Sequence, residues 1–185
     1  RGLAGLEFAH GIPGSLGGAI TMNAGAYGGE MAQVVTAVTC LTRAGELETV
    51  PADRCAFSYR HSAFSDGGRL ILRVEFSLPQ GDPEEIRAKI EDLARQRKAK
   101  QPLEYPSAGS MFKRPPGHFA AALIDQCGLK GLTVGGAQVS EKHAGFVINR
   151  GGATCADILS LVDKVREEVL RQTGVELEME VRILR

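Results

Sequence analysis

Two composition regimes within one chain predict an α+β fold. Residues 33–78 are β-branched and apolar runs broken by glycine and proline turns, whereas residues 82–172 hold the longest helical patterns. A third observation is residues 175–183, where apolar positions alternate with charged ones at the period of a strand. A chain of 185 residues can bury about 70% of the surface it exposes when unfolded, enough for one good core or two small ones. The organisation expected is a β-rich unit over residues 1–80, an α+β unit over 81–173, and a strand over 174–185 returning toward the first unit.

Taken in order, Q-V-V-T-A-V-T-C-L-T at 33–42 is a strand, and Gly45 turns it into a second short one around 47–50. Pro51-Ala52-Asp53 breaks the hairpin, Asp66-Gly67-Gly68 is a turn, and R-L-I-L-R-V-E-F-S-L at 69–78 is strand-like. Asp82-Pro83-Glu84-Glu85 then starts a helix, with Asp as N-cap and Pro in the first turn. Ile86, Ile90, Leu93 and the stem of Arg97 share one face, and Pro102 ends the element. Residues 106–117 read as a loop, 118–127 as a helix closed by Gly128, and 133–134 and 144–148 as short strands around Gly135-Gly136. A long amphipathic helix covers 154–172, with Ile158, Leu161, Val162, Val165 and Val169 on its stripe and Gly174 at its end.

Charge is balanced, 22 basic residues against 22 acidic, with a pI near 7.1. Neither nucleic acid nor an anionic membrane is therefore an expected partner, and any phosphate recognition must be local. Cys40, Cys55, Cys127 and Cys155 form no C-x-x-C pair, so they read as buried or inert thiols of a reducing, cytoplasmic setting, with no metal site. No apolar run approaches the length of a membrane span.

The chemistry is expected at residues 11–29, G-I-P-G-S-L-G-G-A-I-T-M-N-A-G-A-Y-G-G, where seven of nineteen residues are glycine. So many glycines cost backbone entropy, and close approach of amide groups to an anion such as a pyrophosphate would explain them. A run of tight turns packed against a sheet would explain them as well. A P-loop is excluded because no lysine occurs before Lys89, and the spacing Gly11, Gly14, Gly17, Gly18 is not G-x-G-x-x-G.

This loop resembles the flavin-pyrophosphate loop of the UDP-N-acetylenolpyruvoylglucosamine reductase family. The likeness continues through Y-R-x-S at 59–62, P-S-A-G-S-M-F-K at 106–113, G-L-K-G at 128–131, G-G-A-Q-V-S-E-K-H-A at 135–144 and L-E-M-E-V-R at 177–182. What the resemblance implies is the C-terminal part of a two-lobed flavin-binding domain joined to an α+β substrate domain. The start at Arg1, almost inside the loop, reads as a fragment lacking the family's upstream flavin-binding segment. The short Pro-Gly turn after Phe76 resembles the family's shorter subclass, without the inserted tyrosine loop.

The implied reaction is reduction of UDP-N-acetylglucosamine enolpyruvate to UDP-N-acetylmuramate in peptidoglycan synthesis, with FAD and NADPH as cofactors. Ile12, Gly14, Ser15, Gly17, Gly18, Asn23, Gly25, Ala26 and Tyr27 are the implied cofactor contacts. Arg60 would hold the substrate carboxylate, since a guanidinium is a rigid bidentate fork that stays charged. Ser110 would donate the proton, with Ser107 as its rival in P-S-A-G-S; a serine can do so only in a dry site beside developing charge. Glu180 is the third catalytic candidate, and Glu178, two residues earlier on the same face, its competitor. Lys100, Lys113 and Arg114 are the cations for the substrate diphosphate, although the family usually has asparagine at Arg114. Tyr59 and His143 complete the substrate set. Two other readings keep part of this: a flavin-dependent oxidoreductase acting on another substrate, and a non-catalytic nucleotide-binding fragment.

Overall fold

A computed structural model of the chain describes residues 1–184; Arg185, the last residue of the expected segment 174–185, lies outside the described residues. The elements are α1 (Leu16–Thr21), β1 (Gly25–Ala26), β2 (Gly29–Glu30), β3 (Val35–Thr42), β4 (Leu47–Pro51), β5 (Arg69–Phe76), α2 (Pro83–Lys100), β6 (Ser107–Ser110), α3 (Ala120–Gln126), β7 (Thr133–Val134), β8 (Ala137–Val139), β9 (Phe146–Asn149) and α4 (Cys155–Thr173). Every strand pairing is antiparallel, in keeping with the α+β class expected from the sequence. No helix among the described residues is long and apolar enough to cross a membrane.

The chain divides into two compact units, Arg1–Gln96 and a second beginning at Arg97. The division falls inside α2, later than the composition shift at residues 79–81. The reason is local: Gly81 donates its amide to the Gly2 carbonyl, and Lys89 of α2 stands 3.8 Å from the buried Glu7 carboxylate. The first turns of α2 are thereby tied to the chain start.

In the first unit β3 is the centre of the sheet β4-β3-β5. Its inward residues Val38 and Cys40 are fully buried, and Val50 of β4 and Ile71 and Val74 of β5 join them against Phe8, Ile20 and Phe64. All three strands stand where the β-branched runs predict them. Burial pushes the Cys40 and Cys55 thiols up from their ordinary value. Cys127 is half-buried and Cys155, in the first turn of α4, is exposed, and all four cysteines are free thiols.

The second unit has the sheet order β6-β9-β8-β7. Leu161, Val162, Val165 and Val169 of α4 are buried against Ile124 of α3 and Val139 and Val147 of the sheet, the face that the helical stripe predicts. Thr154 caps α4 reciprocally with Asp157: Thr154 Oγ1 accepts from the Asp157 amide at 3.1 Å, and the Asp157 carboxylate accepts from the Thr154 amide at 2.9 Å. Gly174, with φ +72°, closes the helix.

Three expectations are corrected in this unit. The loop assigned to 106–117 contains β6, whose partner β9 lies almost forty residues away, and β8 was not expected at all. The helix expected from His118 begins at Ala120, because Phe119 keeps extended backbone angles at its N-cap. Residues 175–183 form no regular strand: one bridge, Phe112 with Met179, is all the pairing they make. Lys113 donates to the Glu178 carbonyl and Glu180 to the Met111 carbonyl, both at 2.9 Å. In that register the next donor would be residue 115, a proline without an N–H, and the Met111 amide is already taken by the Gly145 carbonyl. The alternation is real, with Leu177 fully buried, but its partner lacks donors for a ladder.

The Gly135-Gly136 turn packs directly on the start of α4. A Cβ added at Gly136 would collide with the Gly151 carbonyl oxygen and lie 2.5 Å from the Ala153 amide nitrogen, both backbone atoms with little freedom to move. Gly136→Ala is therefore expected to destabilise the fold by about 1–3 kcal/mol, measured as a shift in urea midpoint at unchanged slope.

Candidate functional site

The glycine loop opens on α1. Ser15 caps this helix, its Oγ accepting from the Gly18 amide at 3.1 Å. Helix geometry leaves the amides of Leu16 and Gly17 with no carbonyl to reach within the helix. No side chain between Gly11 and Gly18 carries a charge, and a Cβ added at Gly14 would meet nothing within 4 Å. The loop's outer surface is open to an approaching group and offers it backbone donors. Those residues fit a pyrophosphate.

Behind α1 the chain makes the tight hairpin of β1 and β2. Its two central residues, Tyr27 and Gly28, both have positive φ, +54° and +83°. A two-residue turn of this hand normally takes Asn-Gly, so a half-exposed tyrosine at its first position is a strained choice. Asn23, also in the left-handed region at φ +42°, is buried, and its side chain serves the fold: Oδ1 accepts from the Ala32 amide at 2.9 Å and Nδ2 donates to the Ser58 carbonyl at 3.3 Å.

That last bond ties the loop to the turn carrying Tyr59 and Arg60. Ser58 and His61 exchange both backbone hydrogen bonds, which leaves Tyr59 and Arg60 as the two central residues. Arg60 has φ +54°, and its guanidinium carbon lies 5.4 Å from the Tyr59 ring centroid. Ser62 explains the end of Y-R-x-S. It is buried, and its Oγ donates to the Thr21 carbonyl at the end of α1 at 2.9 Å; Ser65 Oγ donates to the same oxygen at 2.9 Å. Sequence reasoning passed over Ser62 as a functional position, although its place as the fourth residue of the motif was the available signal.

In the second unit, Ser110 ends β6. Ser107 pairs with Ile148 and Ser110 with Phe146, so three steps on β6 match two on β9, and Gly109 absorbs the extra residue at φ +81°. Such a bulge re-aims the side chain that follows it. The two serines part company here: Ser107 is exposed, with its Oγ turned back to the Gly109 amide at 3.4 Å, whereas Ser110 is half-buried. Glu180, half-buried, donates its amide to the carbonyl of Met111, the residue after Ser110, so the C-terminal segment runs alongside the end of β6 although seventy positions separate the two in sequence. Glu178, the competitor, is exposed and forms an ion pair with Lys113. Each unit thus carries its own share of the predicted set, Arg60 in the first and Ser110 with Glu180 in the second.

Among the predicted cations, Lys100 is exposed at the end of α2, and Arg114 lies 4.6 Å over the exposed Phe119 ring. Lys142, next to His143, donates to the Lys98 carbonyl at 2.9 Å and so satisfies the C-terminal end of α2. His143 is pinned: its Nδ1 accepts from the Gly145 amide at 3.2 Å, and its ring meets Phe146 edge-on at 4.9 Å. Arg150, which sequence reasoning did not single out, lies 4.8 Å over Tyr105.

Two family models divide the chain. Residues 1–51 match a FAD binding domain, and residues 101–184 match the C-terminal domain of UDP-N-acetylenolpyruvoylglucosamine reductase. Proteins of that name from Pediococcus pentosaceus and Latilactobacillus sakei are 55% and 54% identical over 99% and 98% of this chain. The chain belongs to the UDP-N-acetylenolpyruvoylglucosamine reductase family. It spans 61% and 60% of the length of those two relatives. The crystal structure of the Thermus caldophilus reductase aligns with a TM-score of 0.84 at 40% identity, covering 98% of this chain and 65% of that one.

Within this family assignment, two features of the site have measurable consequences. An L-residue at φ +54° costs about 1 kcal/mol that glycine would not incur. Arg60→Gly is therefore expected to unfold at higher urea than Arg60→Ala, and equal midpoints would show the turn to be unstrained. Burial pushes the His143 imidazole below its ordinary value of 6.5. The unfolded chain then takes the proton first as pH falls, so stability contributed by this group is present above 6.5 and lost below it. His143→Gln should flatten the decline in urea midpoint between about pH 7 and pH 5.

Proposed function

We propose that this chain carries the substrate-reducing machinery of an enzyme converting UDP-N-acetylenolpyruvoylglucosamine to UDP-N-acetylmuramate, with FAD as the bound cofactor and NADPH as reductant. The observation that supports this reading is the hydrogen bond from the Glu180 amide to the Met111 carbonyl, which runs the C-terminal segment alongside the strand end where the bulge before Ser110 lies. The flavin, when reduced, supplies a hydride to the methylene carbon of the enolpyruvyl group.

The residues of the chain do the rest. Amides at the start of α1, together with the Tyr27 hairpin, hold the cofactor's pyrophosphate. Arg60 binds the substrate carboxylate as a fork and stabilises negative charge that spreads into it as the adjacent carbon becomes electron-rich. Ser110 delivers its hydroxyl proton to that carbon, completing a saturated lactyl ether, and Glu180 orients the reacting group. Lys100, Lys113 and Arg114 neutralise the diphosphate; the exposed Lys113–Glu178 pair is worth well under about 1 kcal/mol and exchanges readily for phosphate. Tyr59 and His143 shape the walls. Arg60 belongs to the first unit of the chain, and Ser110 and Glu180 to the second.

Anaerobic stopped-flow on the full-length protein tests this. Bleaching of the flavin by NADPH and its recovery on adding the enolpyruvyl nucleotide are separate signals. Ser110→Ala should leave bleaching nearly unchanged and slow recovery by about 10²–10³, as loss of one preorganised donor does. Equal slowing of both signals would remove Ser110 from the proton-donor role.

A further inference from the structure

Among the described residues, the segment carrying Glu180 is held to its neighbour by two backbone hydrogen bonds, and its sequence does not fix where it sits. In V-E-L-E-M-E-V-R, apolar and charged residues alternate, so sliding the segment by one residue would bury its charges. Sliding it by two would not. Every apolar residue would again face inward, and Glu178 or Arg182 would stand where Glu180 now does. With a single bridge to Phe112 in place of a ladder, hydrogen bonding alone opposes such a slip weakly.

One side chain distinguishes the registers. Arg166, on α4, donates from Nε to the Leu177 carbonyl at 3.1 Å, and its Nη2 lies 3.5 Å from the Glu176 carboxylate, while its Nη1 lies 3.8 Å from Asp163 one turn back on the helix. The guanidinium therefore grips two successive residues of the segment from a rigid element. Leu177 is fully buried beside Val165 and Val169, so the gripped carbonyl belongs to the segment's anchor residue. The distance from that anchor to Glu180 is three residues of extended chain.

We propose that Arg166 is a positioning residue: it sets the register of the C-terminal segment and so decides that Glu180, not Glu178 or Arg182, stands opposite Met111 at the end of β6. This rests on the reading that Glu180 acts in the reaction. The guanidinium touches neither substrate nor cofactor in this scheme and works through the Leu177 carbonyl and the Glu176 carboxylate. Lysine could satisfy that carbonyl but could not also span to Glu176, so Arg166→Lys should fall between the native protein and Arg166→Met.

The test uses the full-length protein and two readouts. Hydrogen exchange should show the Glu180 and Lys113 amides losing protection by about tenfold in Arg166→Met, with the α4 amides unchanged. Unchanged exchange at Glu180 overturns the proposal whatever the kinetics show, as does an equal loss throughout α4, which would mean general loosening. In stopped-flow, Arg166→Met should slow flavin recovery by the enolpyruvyl nucleotide about tenfold while bleaching by NADPH stays within twofold. Combined with Glu180→Gln it should add nothing further, because both changes remove the same positioned group. Full multiplication of the two effects overturns the proposal. A Glu180→Gln variant that recovers at the native rate would instead sink the catalytic reading of Glu180, and the exchange pattern would then decide the register role by itself.

Discussion

The second unit depends on a backbone pairing that is almost too short to count as a sheet. Lys113 to Glu178 and Glu180 to Met111 are its two hydrogen bonds, and they join the C-terminal segment to the residues that follow β6. A longer ladder is blocked on one side by Pro115 and on the other by the engagement of Met111 with Gly145. The same residues that stop the ladder also shape the loop after Ser110. Regular structure has been given up at the point where side chains must be aimed, as is common where bulges and irregular backbone meet a site.

The first unit solves a different problem. A glycine-rich loop has few side chains of its own to hold it, so its order must come from outside. Asn23 bonds across to Ser58, and Ser62 and Ser65 both donate to the Thr21 carbonyl, capping the end of α1 from a segment some forty residues later. These bonds fasten the loop and the Arg60 turn to each other. Replacing both serines would leave a carbonyl at a helix end short of its side-chain donors, and loss of Ser62 would act next to the turn that carries Arg60.

What could be read from the sequence follows from how local the causes are. α4 announces itself through Thr154, Asp157, a five-residue apolar stripe and Gly174, all within twenty residues. The β3–β4 hairpin is equally plain, because Val35–Thr42 and Leu47–Pro51 are β-branched runs separated by one glycine turn. By contrast, β6 reads as a turn, since P-S-A-G-S is turn chemistry and its hydrogen bonds go to Ile148 and Phe146, far along the chain. The C-terminal alternation correctly marks Leu177 as buried, but period two says nothing about whether a partner can donate. The choice of Ser110 over Ser107 and of Glu180 over Glu178 came from family likeness; burial and partners favour the same choices for reasons no spacing could reveal. Ser62 and Arg166 lay outside the predicted site because each acts on a carbonyl distant in sequence.

Strain supplies the last link between fold and chemistry. Among the described residues, four non-glycine residues occupy the left-handed region, Asn23, Tyr27, Ala56 and Arg60, and all lie in the first unit. Two of them, Tyr27 and Arg60, are proposed ligand contacts, and a third is the clamp between their loops. Each costs on the order of 1 kcal/mol that a glycine would spare, and such conformations persist only where the surroundings over-determine them. Here the surroundings are the paired bonds of Ser58 with His61, the Ser62 anchor and the Asn23 bridge. The Arg60 backbone is held at the apex of a fixed turn, with the guanidinium laid over the Tyr59 ring. For the guanidinium proposed to meet a planar carboxylate, a backbone fixed in advance lowers the cost of ordering that turn on binding.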